Sequence, residues 1–557
     1  MNPNFQCPAF INQITVDAWV DSTDCRAERM QALISKWSPL DSFDSFDAFD
    51  AAGTDGLNST GYFGAVFDGR FVYFSPEQRD SLDTHAVVLR YDTHGDFKDR
   101  NSYAACDASK TSGLEVRGFY GAAFDGVYVY FVPRQIGMEY YHTRFLRFDS
   151  RQEFKNPAAW VAFDLGLRQS AQGVAFDGRY LFFSPGFSGD PKRENEYCAN
   201  VIRYDTRESF SNPAGYATAD VTKFLGMAAG CYDGAAFDGR FIYLVPLYSR
   251  IAARYDTHGK FDDLARWQKF DMAPLGAGSF VGAVFDGRHL YYCPYACDSI
   301  VRFDTLRDFL EPSSWQCYRS DRTKGLRTNG FDGGFFDGRF VYFVPFVFGS
   351  KTEGYTFHSN FLRYDSQRDF EDPKSWEAHD ASRVSGLDTV GYNAGAFDGR
   401  YFYCAPWRHG AWDGKNWRTK LGTPGVHGTI LRYDTIGQNG SFSLRYCDYG
   451  HNGGLTATVL GPSFLVNTTE GVRSVATHNV LSPGGHRLTG IYDGKRIQLW
   501  IDGRLEVERA SSGHIVNNQV PITVGRIQDG LGEFQGSIER VEILATVPSR
   551  NELFRKQ

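Results

Sequence analysis

Apolar and polar positions alternate with a period of two along most of the chain, and the alternation is organised into a phrase that recurs seven times. FDGRFVYFSP (67–76) returns as FDGVYVYFVP (124–133), FDGRYLFFSP (176–185), FDGRFIYLVP (237–246), FDGRHLYYCP (285–294), FDGRFVYFVP (336–345) and FDGRYFYCAP (397–406). Asp-Gly between two alternating runs predicts a hairpin whose two-residue type I′ turn needs positive φ at both positions. Gly-Ala-x-Phe before the turn is then one strand and Arg-Tyr-x-Tyr-Phe after it the next. The closing Pro has no N–H to give a ladder, which places it at a strand end. A third strand follows as LRYDT (89–93), LRFDS (146–150), IRYDT (202–206), ARYDT (253–257), VRFDT (301–305), LRYDS (362–366) and LRYDT (431–435). A fourth carries an aromatic 11 residues after the third-strand Asp, at Tyr103, Trp160, Tyr216, Trp267, Trp315 and Trp376.

Four antiparallel strands per unit, repeated every 48 to 61 residues, predict an all-β, seven-bladed β-propeller. The fourth strand is missing after Asp434. Its counterpart is SFDAFD (45–50), where Phe46 and Asp50 are spaced as Trp376 and Asp380 are. The earliest strand of the array is expected to complete the last blade, leaving no open edge. The architecture resembles kelch-like and other seven-bladed rings.

The flanks alternate too but lack the phrase. They hold ITVDAWV (14–20) and ALISKW (32–37) at one end, and at the other FSLRYCD (442–448), GIYDGKRIQLWIDGRLEVE (490–508), ITVG (522–525) and FQGSIERVEIL (534–544). These runs resemble the laminin G-like, concanavalin A-type jelly roll, a β-sandwich. The resemblance implies that strands adjacent in that sandwich are here separated by the whole repeat array. The expected organisation is a jelly roll in two parts, 1–40 and 438–557, with the propeller inserted at 41–437. An insertion needs the guest's ends to lie together, as a ring closed by its own first strand provides.

Composition narrows the classes. With 557 residues, 42% hydrophobic, the chain can bury large cores, and a net charge of −7 argues against a nucleic-acid partner. No apolar run is long enough to span a bilayer as a helix. The start MNPNFQCPAFINQ shows neither a charged leader nor an apolar core, whereas the laminin G-like resemblance implies an extracellular or cell-surface setting. The ten cysteines are scattered and read mostly as small buried hydrophobes. Sequons stand at Asn58, Asn439 and Asn467.

Residues present in all seven units build the units, so chemistry is sought where the repeat varies. The links from second to third strand, counted from Pro to Arg, run 14, 14, 18, 8, 8, 18 and 26 residues and share one face. Variable loops on a rigid scaffold are the usual place for binding. The longest link, 407–429, carries Trp407, Trp412 and Trp417 among Arg408, Asp413 and Arg418, a set suited to stacking on sugar rings. A second constellation is the residue before Gly-Ala or the equivalent pair in each inner strand: Phe63, Tyr120, Gln172, Asp233, Val281, Asp332 and Asn393. Its neighbours Tyr62, Tyr232, Phe331 and Tyr392 extend the aromatic character. Asp233 and Asp332 offer a carboxylate pair for acid–base work on a glycosidic bond or for a hard cation such as calcium. His409 and His427 are candidate general acids or bases.

Three functions are therefore expected. The first is a lectin-like carbohydrate-binding protein recognising a glycan or polysaccharide through the variable face and the jelly roll. The second is a carbohydrate-active enzyme, a hydrolase or lyase, using Asp233, Asp332, His409 and His427 on the same face. The third is a scaffold for a protein partner.

Overall fold

The computed structural model describes residues 12–22, 31–80, 83–137, 139–189, 196–226, 231–350, 354–412, 417–418, 425–450, 457–477, 481–527, 534 and 536–548. It is all-β and propeller-like. Among the described residues five four-stranded antiparallel sheets share one internal order, and the same run of four strands recurs inside a five-stranded and a ten-stranded sheet. The first comprises Tyr62–Phe67, Phe71–Pro76, Val87–Asp92 and Tyr103–Asp107. In the seventh, Tyr392–Phe397, Tyr401–Pro406 and Thr429–Asp434 are completed by Phe46–Asp50, with Phe46 opposite Tyr433 and Asp50 opposite Thr429. Each innermost strand packs against that of the next sheet, and the seventh against the first.

The repeated residues explain why every unit folds alike. In all seven turns one carboxylate oxygen of the Asp accepts two successive backbone N–H groups, as Asp68 does from Arg70 (2.8 Å) and Phe71 (2.7 Å). In six units the other oxygen accepts a Tyr hydroxyl from the next strand; the third unit has Phe182 there. The turn itself differs from the expected type I′. Only its glycine is left-handed, as at Gly69 (φ 95°), and Asp68 donates its N–H to the Phe71 carbonyl. The Asp side chain thus takes over part of the task that a second positive φ would perform. Asp502-Gly503 does meet the type I′ requirement, with φ of 49° and 76°.

Arginines lock strands and units together. The Arg after Asp-Gly reaches the third-strand Asp at 2.5 to 2.9 Å in six units, as in Arg70–Asp92 and Arg400–Asp434. The second unit has Val127 in its place, and Arg151 holds Asp149 instead. The third-strand Arg crosses to the following unit, where Arg90 covers Phe154, Arg147 Phe210, Arg203 Phe261, Arg254 Phe309, Arg302 Phe370, Arg363 Phe43 and Arg432 Phe97, at 4.0 to 4.7 Å. Such cation–π contacts contribute about 0.5–2 kcal/mol each. Phe43, from the closing segment, supplies the sixth of these contacts.

The flanking strands meet one another. Ile14–Ser22 lies between Gly484–Tyr492 and Gly536–Leu544, and Gln31–Trp37 pairs with Gly440–Gly450 and Thr523–Val524. The two sets of strands share a core that includes Val16, Ile34, Leu444, Phe464, Leu488 and Leu499. This region docks on the Asp-Gly face of the ring. Ala457–Leu460 runs parallel to the innermost strand of the second sheet at Ala123 and Phe124, Arg509 donates to the Asp68 carbonyl, and Arg400 donates to Asn467 Oδ1 at 2.7 Å. Asn467 is 0% exposed and donates to the Gly440 carbonyl, so this sequon is a structural joint. Among the described residues no helix is long and apolar enough to cross a membrane.

Candidate ligand-binding site

Every innermost strand breaks register at the same place, between Tyr62 and Ala65 in the first sheet and at the equivalent residues of the other six. The second residue of each interruption is left-handed: Gly64, Gly121, Gly173, Gly234, Gly282, Gly333 and, without the freedom of glycine, Ala394 (φ 45°). A bulge of this kind re-aims the side chain before it. It explains why the motif demands Gly at that point. Six of the seven re-aimed residues, Phe63, Tyr120, Gln172, Asp233, Val281 and Asp332, line one cavity of about 690 Å³ at the end of the channel away from the flanking region. Asn393, the seventh, donates its amide to Asp332 Oδ2.

A second tier comes from the residues just after the closing Pro, or one further on. Arg134, Phe187, Leu247, Tyr295, Phe346 and Trp407 form the wall. Sequence reasoning found only Trp407 and Arg408 of this tier, although a variable residue directly after an invariant Pro in each unit was the available signal. Glu77, the first unit's member, is buried and organises the others: its carboxylate accepts from Arg134 Nη1 at 3.0 Å and from Trp407 Nε1 at 3.1 Å. Trp407 meets Phe63 edge-on at 4.4 Å, Phe63 stacks on Tyr120 at 4.2 Å, and the Arg134 guanidinium lies 4.9 Å from the Tyr120 ring centre. At the rim, Tyr248 is 53% exposed and holds φ of 52°, a conformation costly for an aromatic residue.

The two carboxyls differ from those in the turns. Asp233 (3% exposed) accepts at Oδ2 from Tyr120 (2.9 Å) and Gln172 (2.7 Å), and Asp332 (2% exposed) accepts at Oδ2 from Asn393. Asp233 Oδ1, Asp332 Oδ1, Gln172 Oε1 and Asn393 Oδ1 are buried acceptors with no hydrogen-bond partner among the described residues. Neither acid enters an ion pair among the described residues. Burial pushes Asp233 up to about 7, partly offset by the Tyr120 hydrogen bond, the Arg134 charge and Gln172. Asp332 is raised further from the usual carboxyl range by burial and then by the charge of Asp233. Two buried acids that feel each other in this way favour retention of a proton. No three His, Cys, Asp or Glu side chains gather as a metal site among the described residues.

Other sequence candidates fall elsewhere. Tyr62, Tyr232, Phe331 and Tyr392 are wholly buried in the packing between sheets, because they alternate away from the channel. His409 lies beside Asp388 (3.5 Å) and the His427 ring (4.9 Å), and neither histidine lines the cavity. His427 stands two residues before its third strand, where other units have His85, His142, Ser249 and His358. Each of those accepts the N–H two residues on. Burial pushes His427 down to about 3, which ill suits a general acid or base near neutrality. Trp412 and Trp417 face each other in a short hairpin. Their side chains and that of Arg418, like all of Asp413, lie outside the described residues. Arg408 reaches the cavity with its guanidinium over Trp407 at 4.0 Å.

No protein-family model matches this chain, and no curated protein does. Among solved structures it is similar to virginiamycin B lyase from Staphylococcus aureus, at 12% identity over 70% of this chain and 99% of that one with a TM-score of 0.42. It is similar as well to a nidogen/laminin complex (14%, 55% and 96%, TM-score 0.30) and to an aldose sugar dehydrogenase from Streptomyces coelicolor (14%, 55% and 93%, TM-score 0.31). Likenesses this remote concern the course of the strands alone, and the chemistry of the cavity has to be read from its own residues.

Proposed function

We propose that this chain is a lectin-like carbohydrate-binding protein that takes a glycan unit into the channel-mouth cavity. In this reading a seven-bladed propeller, 41–437, is inserted into a laminin G-like jelly roll, 1–40 and 438–557, which occupies the opposite face. The observation that carries it is the set of buried acceptor oxygens without partners on Gln172, Asp233, Asp332 and Asn393, set beside Trp407, Tyr120, Phe346 and Tyr295. A buried unpaired acceptor costs about 1–3 kcal/mol, and ligand hydroxyls relieve that cost. Aromatic faces meanwhile take the apolar C–H faces of a sugar ring, and the volume lies within the range of small-ligand pockets. Tyr248 at the rim is a further stacking surface.

A glycan array on the whole chain tests this, followed by titration calorimetry on the best glycan. Tyr248→Ala is expected to weaken binding about tenfold without loss of fold, the worth of one exposed stacking contact. An array with no binder, together with no effect of Tyr248→Ala and Trp407→Ala on any titrated sugar, would falsify the proposal.

The raised pKa values of Asp233 and Asp332 favour one alternative, a carbohydrate-active enzyme in which one of the pair protonates a leaving oxygen. The protein would then release new reducing ends or unsaturated products from a polysaccharide panel, and Asp233→Asn would abolish that release.

A further inference from the structure

The cavity's charges are unevenly settled. Arg134 is neutralised by Glu77 at 3.0 Å, while Asp233 and Asp332 have hydroxyl and carboxamide partners but no cation among the described residues. Two buried carboxyls without a counterion can keep protons or acquire a cation. The surroundings decide which cation fits. Calcium asks for six to eight oxygen ligands; here four unpartnered oxygens stand among the described residues, one each on Asp233, Asp332, Gln172 and Asn393, and Arg134 stands near enough for its charge to act on both acids. Much of the rest of the lining is aromatic, including Phe63, Tyr120, Tyr295, Phe346 and Trp407, with Arg408, Gln172 and three aliphatic side chains among them. π faces beside a carboxylate suit an ammonium group on a carbon skeleton, which is attracted to the rings and gives its N–H donors to the acid oxygens. An ammonium also has donors for the unpartnered Asp233 Oδ1 and Asp332 Oδ1.

We infer that the ligand taken at the channel mouth carries a protonated primary amine, seated against Asp233 and Asp332 beneath the aromatic wall, and that its class is an amino sugar whose nitrogen is not acylated. The sugar half of this statement rests on the carbohydrate-binding reading; the amine half does not. N-acylation removes the charge and two of the three donors, so the two forms of one sugar are strongly distinguished.

The test is calorimetric titration of the whole chain with a chitosan trisaccharide, the matching chitin trisaccharide and cyclohexylamine hydrochloride. The chitosan oligomer is expected to bind at least about tenfold more tightly than the chitin oligomer, the worth of one charge-assisted contact. Asp332→Asn is expected to remove that preference while leaving the protein folded by circular dichroism. Equal binding of the two oligomers overturns the amine inference and leaves carbohydrate binding standing. Binding of cyclohexylamine with neither oligomer does the reverse. Failure of all three ligands overturns both, and none of these outcomes depends on the variant folding.

Discussion

The two faces of the ring use the same residue, aspartate, to opposite ends. On the turn face, Asp68 and its six equivalents each give one oxygen to two backbone N–H groups, and all but Asp177 give the other to a Tyr hydroxyl. On the mouth face, Asp233 and Asp332 are at least as deeply buried, yet each keeps one oxygen unpartnered. Burial alone does not separate a structural acid from one placed for a ligand. The state of its second oxygen does, because an unpaired buried acceptor is a standing cost that the fold would otherwise have removed.

The comparison can be broken from the turn side first. Asp337→Ala leaves two backbone N–H groups and the Tyr342 hydroxyl without their acceptor, and is expected to cost about 3 kcal/mol of stability by denaturant titration. A loss under about 1 kcal/mol would show that the turn acids are dispensable.

The mouth side makes a contrary demand on pH. Asp233, raised from 3.8 to about 7, binds its proton more tightly folded than unfolded. The stability this confers is complete below about pH 4 and is lost as the pH climbs toward 7. Tyr120 and Gln172 donate to it, the Arg134 charge favours its ionised form, and its own charge raises Asp332. Asp233→Asn retains an acceptor for Tyr120, and is expected to flatten the fall in melting stability between pH 4 and 7 by about 2 kcal/mol. An unchanged profile would mean that this carboxyl is ionised throughout.

The bulges offer a smaller and cleaner effect. Ala394 alone among the seven equivalent positions adopts positive φ without being glycine. Ala394→Gly is expected to raise stability by about 1 kcal/mol, read as a higher denaturation midpoint with unchanged slope. Least of all should follow from Val127→Arg, which restores the common turn Arg of the second unit. Arg151 already holds Asp149 at the surface, so the change is expected to stay within about 0.5 kcal/mol.

Much of this arrangement was readable from residues alone. The seven inner-strand positions from Phe63 to Asn393 are legible as one set because each stands four residues before the Phe that opens the repeated phrase. Phe46–Asp50 was legible as the closing strand because its spacing copies Trp376 to Asp380. The wall tier was not read, since Glu77, Arg134, Leu247, Tyr295 and Phe346 share no residue type, only a place after Pro. His427 shares its place with His85, His142 and His358, which lie outside the phrase and each cap a backbone N–H, whereas neither ring nitrogen of His427 has a hydrogen-bond partner among the described residues. The Asp-Gly turns depart from type I′ because the Asp carboxylate caps the N–H groups two and three residues on, which the dipeptide cannot reveal.

The sequence by itself determined the strands, their number per unit and the way the ring is shut, because period-two alternation, Asp-Gly corners and Pro stops act over a few residues and are written seven times. The tertiary structure alone decided which of two neighbouring side chains looks into the channel. A register break turns Asp233 toward the cavity and leaves Tyr232 in the packing between sheets. It also decided that Tyr120, Gln172 and Asp233 should meet, and that Asp332 should have Asn393 but no counterion. Those contacts join residues up to 113 apart in the chain. Their chemistry follows from how the innermost strands of different units come together in the channel, which no local run of residues encodes.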